Sequence, residues 1–325
     1  MNRLRSQLRY RLLITGAWLL CRLPERPLMA VADLFGHVWY RLAKGRRATA
    51  RGNLARVCRW MAANEVGSAR GREAATDRRI LESLVRDAFR HSVRYNLILA
   101  RGPIMDAAYV ARWMVMETED VIDAALAEPN GALFVGLHMG SNELPALYLA
   151  LKTGRPAWAP TQTLDDPLLQ AYMVRSRARL GLHLVELQSA RRELAEALRR
   201  GDPVGILADR DFTGGGIEVP LFGAPASLPI GAALLALETG AVPHVFGVRR
   251  DERGVYRARV ERVPLPADGS RRERVTGYLA AEARAFEHNV ASAPEQWFAI
   301  FFPIWHAEAA ASSPALAGAS SEPAA

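Results

Sequence analysis

The sequence predicts an α/β fold: a mostly parallel central sheet flanked by helices, with membrane-associating helices at the N-terminus. From about residue 132 onward, short apolar segments alternate with helical segments, as is typical of βα units. Half of the 325 residues are hydrophobic, which allows a sizeable core, and 23% are charged, which argues against a polytopic membrane protein. The stretch 3–59 is dense in arginine, and its only acids are Glu25 and Asp33.

The order of the elements follows from hydrophobic periodicity. In residues 80–99 the apolar side chains recur at helical spacing, as at Leu81, Leu84 and Val85. Residues 61–79 are polar and mixed, which indicates a surface loop or a short helix. We expect helices on both faces of the sheet. Further helices are predicted at 106–116, 143–152, 166–179, 190–200, 230–238 and about 273–290, and strands at 132–137, 157–160, 183–187, 204–208, 217–222, 242–249 and 255–262.

Residues 1–60 are predicted to form basic amphipathic helices that lie in or on a membrane. Their apolar runs, 12–20 and 28–42, are separated by charged residues, and neither reaches the roughly 18–20 uncharged residues of a spanning helix. Tryptophan, tyrosine and flanking arginines favour association with the membrane surface. The alternative is that both runs are core helices of a soluble domain.

Charge and cysteine content narrow the function classes. The net charge of +8 indicates an anionic partner, and basic charge beside apolar helix favours a lipid surface over nucleic acid. Cys21 and Cys58 form neither a metal-binding spacing nor a disulfide framework, which suits a reducing compartment. We expect residues 61–308 to form one globular α/β unit with the N-terminal helices, and residues 309–325 to be a disordered tail.

The first candidate site lies between the strand at 132–137 and the helix at 143–152. His138 and Glu143 flank this strand-to-helix turn and are predicted to touch. A carboxylate on one ring nitrogen fixes the tautomer and raises the basicity of the other, so the imidazole can take a proton from an alcohol. A structural histidine is the alternative, and Ser141 or Asn142 can be simple helix caps.

A second candidate site follows the strand at 204–208. Asp209, Arg210 and Asp211 stand at its end, before a glycine-rich loop. Two carboxylates around an arginine can bind a metal, orient a head group or form a structural ion-pair network. All three interpretations stay open.

Two further segments carry apolar or aromatic side chains. Residues 219–227 supply an apolar wall before a helix whose N-terminus can hold a phosphate or an oxyanion, or can simply be packing. Residues 294–306 hold an aromatic run, which can line a lipid-facing rim or belong to the core.

Together these motifs resemble the bacterial late lipid A acyltransferases and the related phosphatidylinositol mannoside acyltransferases. The resemblance runs from the segment 51–54 to Trp305. It is carried by the His-x4-Asp/Glu motif at His138–Glu143, by Asp209-Arg210-Asp211 with Pro220-Leu221-Phe222-Gly223 and Pro225-Ala226, and by Pro294-Glu295-Gln296-Trp297. The ending Phe301-Phe302-Pro303-Ile304-Trp305 looks more like the mannoside branch.

The resemblance implies a monotopic enzyme on the cytoplasmic face of the inner membrane. It implies transfer of an acyl chain from acyl-CoA or acyl carrier protein to a hydroxyl of a glycolipid, of the phosphatidylinositol mannoside or lipid A precursor type. His138 would be the general base and Glu143 its orienter. We expect no metal and no cofactor besides the acyl co-substrate. We expect no nucleic-acid partner, and the protein is expected to be a monomer.

The same resemblance suggests substrate-binding residues. Where the mannoside branch can carry an extra glutamate near the active site, this chain has Gln162, an amide that cannot serve as a second relay carboxylate. Arg175 and its neighbours can meet the phosphates of CoA or of the acceptor, or can form a solvated helix face. The predicted substrate-binding set is Asp209, Arg210, Asp211, Gln162, Arg175 and Glu295.

Two other functions stay open at this point. Asp209 and Asp211 also suit a glycosyltransferase that uses a divalent metal, and the basic helical N-terminus also suits a lipid-surface protein without catalytic activity.

Overall fold

A computed structural model describes residues 2–212 and 214–305 of the chain. The strands are β1 Met114–Met116, β2 Ala132–Gly136, β3 Ala157–Thr161, β4 Leu182–Glu186, β5 Val204–Leu207, β6 Ile217–Leu221, β7 Ala224–Leu228, β8 Val242–Arg250 and β9 Tyr256–Arg262. The helices are α1 Asn2–Arg22, α2 Glu25–Leu42, α3 Lys44–Ala63, α4 Ala69–Glu73, α5 Arg78–Ala100, α6 Ala107–Trp113, α7 Glu119–Leu126, α8 Glu143–Thr153, α9 Pro167–Ala178, α10 Ala190–Arg199, α11 Gly231–Thr239 and α12 Arg271–Ser292.

The central sheet has seven strands in the order β1-β9-β8-β2-β5-β3-β4. Neighbouring strands from β8 to β4 run parallel, β9 is antiparallel to β8, and β1 is parallel to β9. Strands β6 and β7 form a separate antiparallel hairpin. This arrangement confirms the predicted α/β class with a mostly parallel sheet.

The central strand β2 is buried along its whole length, which explains its unbroken apolar sequence. Its side chains alternate between two cores. Leu133 belongs to the core that contains Tyr278 of α12, whereas Phe134 belongs to the core that contains Leu144 of α8. Helices therefore cover both faces of the sheet, as predicted.

The N-terminal helix α2 packs against α5 through small and apolar side chains. Gly36 lies so close to α5 that an added Cβ would stand 2.6 Å from the Cα of Arg90. Asp33 pairs with Arg94 at 2.6 Å and with Arg90 at 3.1 Å across the same contact. The prediction of helices over residues 1–60 is confirmed, whereas the division of the chain into domains stays a prediction.

The opposite side of α2 is apolar and exposed. Leu34 is 63% exposed and Phe35 61%, and they share this side with Val31, Val38 and Leu42. The spacing of these residues places them in one stripe along the helix. Among the helices that the structure describes, none combines the length and apolarity needed to cross a membrane.

Three elements differ from the sequence prediction. The predicted helix 106–116 is wrong in its last residues, because Met114–Met116 leaves the helix to pair with β9 as a short edge strand. Helix α7 and strand β7 were not predicted at all. The proposed disordered tail lies outside the described residues.

Candidate active site

His138 and Asp209 stand side by side at the carboxyl ends of two adjacent parallel strands. In the register of β2 and β5, Gly136 lies opposite Leu207, so two residues further along each chain His138 meets Asp209. The amide of Ala208 donates to the carbonyl of Gly136 at 2.9 Å and extends the pairing past the strand ends. This is the edge of an open α/β sheet where ligands bind.

The Asp209 carboxylate holds the imidazole through both of its oxygens. Oδ1 lies 2.6 Å from Nδ1 of His138, while Oδ2 accepts from the backbone N–H of His138 at 3.0 Å. The same Oδ2 accepts from Nε1 of Trp297 at 2.8 Å. The carboxylate is therefore fixed from two directions, and the ring nitrogen that faces it carries the proton. In a neutral ring this leaves Nε2 as the acceptor.

The electrostatics of this pair favour the ionised carboxylate and a more basic imidazole. Burial works against the charged form of His138, but the charge and hydrogen bond of Asp209 outweigh burial and raise the pKa of His138. Burial likewise opposes ionisation of Asp209, but the charge of His138 and the three hydrogen bonds leave its pKa below the usual range. Asp209 is thus an anion although its side chain has 0% exposure.

The predicted contact between His138 and Glu143 is wrong. Glu143 begins α8 and turns to other partners: Oε1 lies 3.3 Å from the hydroxyl of Tyr95, which donates to it, and 3.5 Å from Nη2 of Arg177. Its other oxygen, Oε2, is buried and has no hydrogen-bond partner among the described residues. The reason is the order of the strands: β5 pairs with β2, so Asp209 after β5 lies next to Nδ1 of His138 after β2. Glu143 acts on the imidazole through its charge, which raises the pKa of His138.

His138 lines an apolar cavity of about 400 Å³, a size typical of ligand sites. The cavity runs along the α8 face of the sheet and is lined by residues from each of its strands, β1 to β5, β8 and β9. Most of its wall is hydrophobic. The lining includes Met116, Phe134, Leu149, Ala157, Leu184, Gly205, Leu207, Phe246 and Val260, with Tyr95, Asn142, Glu143, Gln162 and Arg177 among the polar members.

Arg210 and Asp211 continue from Asp209 into the loop. The guanidinium of Arg210 stacks 3.5 Å from the ring centre of Phe302 and 4.3 Å from that of Phe212. Asp211 accepts hydrogen bonds from the amide of Gly216 at 2.8 Å and from the hydroxyl of Ser227 at 2.9 Å. Asp209 therefore serves His138, whereas Asp211 shapes the loop.

No group of three or more His, Cys, Asp or Glu side chains is placed to hold a metal ion in the part of the chain that the structure describes. The expectation that the protein needs no metal stays a prediction.

The other predicted substrate-binding residues are scattered. Gln162 lines the cavity, and its role in substrate binding stays a prediction. Arg175 does not line it; Nη2 of Arg175 donates to the hydroxyl of Tyr10 in α1 at 3.1 Å, and Arg177 takes the place at the cavity wall. Glu295 does not line the cavity and lies near Cys58, Arg70 and Asp87.

Sequence reasoning missed the two residues that complete the His138 site. The aromatic run with Trp297 is predicted to line a rim or to belong to the core; Trp297 does lie in the core, but the hydrogen bond from its indole to Asp209 was not predicted. Asp209 was assigned to substrate, yet it holds the imidazole. The available signal was that both His138 and Asp209 follow strand candidates directly, but the sequence does not reveal that those strands are neighbours.

Comparison with known proteins identifies the family of this chain. Residues 2–305 match the family model described as bacterial lipid A biosynthesis acyltransferase. A phosphatidylinositol mannoside acyltransferase of Mycobacterium tuberculosis (strain CDC 1551 / Oshkosh) is 30% identical over 225 residues, which cover 66% of this chain and 68% of that protein. The enzyme of the same name from Mycolicibacterium smegmatis is 29% identical over 233 residues, covering 70% and 74%. The chain therefore belongs to the bacterial lipid A biosynthesis acyltransferase family and is an acyltransferase.

Proposed function

We propose that this enzyme transfers a fatty acyl chain from a thioester donor to a hydroxyl of a glycolipid, with His138 as the general base. The observation that carries the proposal is the His138–Asp209 pair at 2.6 Å on the wall of an apolar cavity. A base next to an apolar cavity suits a reaction that joins an alcohol to a fatty acyl group, because the base can activate the alcohol and the cavity can hold the acyl chain.

The proposed reaction uses this pair in four steps. Nε2 of His138 takes the proton of the acceptor hydroxyl while Asp209 stabilises the imidazolium that forms. The alkoxide oxygen attacks the thioester carbonyl, a tetrahedral oxyanion forms, and its collapse expels the thiolate. His138 returns its proton to the thiolate, so the enzyme ends in its starting state. General base action of this kind contributes roughly 10²–10⁴-fold to the rate.

The donor is proposed to enter with its acyl chain in the cavity and its polar part at the mouth. Arg210 stacks on Phe212, which lines the cavity, and both Arg210 and Arg46 lie over the ring of Phe302, at 3.5 Å and 4.6 Å from its centre. Two guanidinium groups next to a lining residue suit the phosphates of acyl-CoA or of an acyl carrier protein.

The acceptor is proposed to be a phosphatidylinositol mannoside or a related glycolipid. The support is that both mycobacterial relatives are phosphatidylinositol mannoside acyltransferases and that each overlaps about two thirds of this chain. A lipid A precursor is the second acceptor to test, because the family model carries that name.

The site of action is proposed to be the cytoplasmic face of the inner membrane, with α2 lying in the membrane surface. The exposed stripe of α2 supplies apolar contact, and the neighbouring arginines suit anionic lipids. Leu34→Ser with Phe35→Ser should reduce binding to anionic vesicles, whereas Leu164→Ser, at an exposed leucine outside the stripe, should not. Unchanged vesicle binding of the double variant would remove α2 from the contact.

The two alternative functions receive less support. A metal-dependent glycosyltransferase would use Asp209 and Asp211, but each of these carboxylates already accepts hydrogen bonds from different protein groups. A lipid-binding protein without catalytic activity does not account for a buried, ionised Asp209 that holds the ring of His138 at the cavity wall. The family match adds to both arguments.

The decisive experiment measures thiol release from acyl-CoA together with the acylated product by mass spectrometry, with each glycolipid as acceptor. His138→Ala should abolish transfer while the protein stays folded and bound to vesicles. His288→Ala, at an exposed histidine of α12, is the matched control and should retain full activity. Near-normal turnover of His138→Ala would refute the assignment of the base.

A further inference from the structure

A second polar cluster is buried where the turn between α1 and α2 meets the end of α5. Its central residue is Arg101, which follows α5 and is only 6% exposed. Nε and Nη1 of its guanidinium are buried and have no hydrogen-bond partner among the described residues. An arginine carries its charge at all working pH values, so these donors call for an acceptor.

Two neighbouring side chains also have buried donors that lack a hydrogen-bond partner. The hydroxyl of Tyr109 and Nε of Arg250 are also buried without a hydrogen-bond partner among the described residues. Tyr109 lies within electrostatic reach of both Arg101 and Arg250. Burial raises the pKa of Tyr109 above its usual range, so the phenol keeps its proton and can donate.

The cluster has more positive than negative charge. Glu25 is the carboxylate beside it, and its Oε1 stands 3.6 Å from Nη2 of Arg250, too far for a good hydrogen bond. Arg94, the next cation, is already paired with Asp33 at 2.6 Å. Residues 1–24 contain no acidic residue, so α1 cannot supply a counter-charge.

We infer that Arg101, Arg250 and Tyr109 form a binding site for a phosphate group, separate from the catalytic cavity. None of the three lines that cavity. Two guanidinium groups and a hydroxyl supply several donors to one compact anion, and phosphate oxygens accept such charge-assisted hydrogen bonds well. The carboxylate of Glu25 repels anions, so we expect the site to hold only an anion that binds to both arginines.

The position of the site favours the phosphate of a lipid head group over free phosphate. Cys21 of α1 lies within electrostatic reach of Arg101, so the cluster is next to the end of α1. The adjoining turn carries Leu23, which is exposed to solvent. Both sources share the same chemistry and are separated by the test.

The experiment uses the full-length protein and measures its unfolding temperature and the Kd by calorimetry with inorganic phosphate, at constant ionic strength in chloride. Wild-type protein should show a saturable rise in unfolding temperature. Arg101→Met should weaken phosphate binding at least about 10-fold, and Tyr109→Phe should weaken it several-fold, because each removes donors and keeps the volume. The control Arg192→Met removes an exposed arginine of α10 and should bind phosphate as wild type does.

The source of the phosphate follows from two soluble lipids. Dioctanoyl phosphatidylinositol that competes with phosphate, while dioctanoylglycerol does not, supports a head-group site; phosphate that binds without such competition supports a free-anion site. The absence of saturable phosphate binding, or an unchanged Kd in Arg101→Met, would overturn the inference. His138→Ala should keep the phosphate response, so failure of the proposed reaction and failure of this site are distinguishable.

Discussion

The indole of Trp297 donates a 2.8 Å hydrogen bond to Oδ2 of Asp209, the carboxylate whose other oxygen holds the ring of His138. The backbone reinforces this link: the amide of Phe298 donates to the carbonyl of His138 at 2.7 Å, and Met139 forms a β-bridge with Trp297. A late segment of the chain therefore fixes both His138 and the carboxylate that orients its ring.

Trp297→Phe should lower kcat about 10-fold while the protein stays folded. The ring still fills its place in the core, but Oδ2 loses one donor, so Asp209 is held less firmly and its ionised form is less favoured. Trp305→Phe is the matched control, because Nε1 of Trp305 donates to the carbonyl of Leu221 at 3.1 Å, away from Asp209. It should cost about 1 kcal/mol of stability and leave kcat unchanged. Equal kcat losses in the two variants would contradict the role of Trp297.

Asp209→Asn should reduce kcat by roughly 10²–10⁴-fold, because an amide in place of the carboxylate neither fixes the tautomer nor stabilises the imidazolium. Glu143→Gln should cost less, since Glu143 makes no hydrogen bond to His138 and acts through charge. Steady-state thiol release from acyl-CoA measures both. A greater loss in Glu143→Gln than in Asp209→Asn would show that Glu143 is the essential acid.

The activity should fall on the acidic side of its pH profile at a higher pH than an ordinary histidine would give. The base works only when His138 is neutral, and its pKa is raised, so the acidic limb of kcat/KM should lie above about pH 6.5. Glu143→Gln removes a charge that raises this pKa and should move the limb to lower pH. A limb below pH 6 in the wild-type enzyme would be inconsistent with the pair.

Gly205→Leu should shorten the acyl chain that the enzyme accepts. Gly205 lines the cavity, and an added Cβ would find no atom within 4 Å, so a larger side chain enters the cavity instead of the protein core. Turnover of palmitoyl-CoA should fall at least about 10-fold relative to octanoyl-CoA. Gly231→Leu, at the exposed start of α11 with equally open surroundings, should leave the ratio unchanged. Equal effects on both donors would place the acyl chain elsewhere.

Glu282→Gln should change how stability depends on pH. Glu282 is fully buried in α12; burial raises its pKa to about 8, and the nearby charge of Asp209 adds to the rise. The native state therefore keeps a proton that the unfolded chain loses above about pH 4.3. Wild-type stability should fall as the pH rises towards the native pKa, by up to about 1.4 kcal/mol per pH unit from this group.

The variant isolates that contribution. Glutamine has the same shape and no titratable proton, so the difference in free energy of unfolding between wild type and Glu282→Gln should grow in favour of the variant from pH 5 to pH 8. Urea unfolding at each pH measures it. A difference that does not change with pH would show that Glu282 is ionised in the folded protein.

The type and position of the helices and strands could be predicted from the sequence better than their arrangement in space. The apolar run of β2 and the alternating helices indicated a parallel sheet, because strands buried on both faces need continuous hydrophobic sequence. The strand order was not accessible: β5 pairs with β2 although β3 and β4 come between them in the chain. The prediction of the site was wrong for this reason. Spacing along the chain suggested Glu143 as the partner of His138, whereas strand pairing places Asp209 there.

The edge strand β1 shows the same limit. Its three residues continue the apolar pattern of α6, and only the ladder with β9 makes them extended. Trp297 could not be assigned either, because an indole N–H that binds a buried carboxylate looks, in sequence, like any core aromatic.

The hydrogen bond from Trp297 to Asp209 also determines when this arrangement can form during synthesis on the ribosome. Residues 138 and 209 are synthesised well before residue 297, so the nascent chain already contains the imidazole and its carboxylate before the indole that binds this carboxylate is translated. The three groups can come together only after nearly all of the described fold has been synthesised.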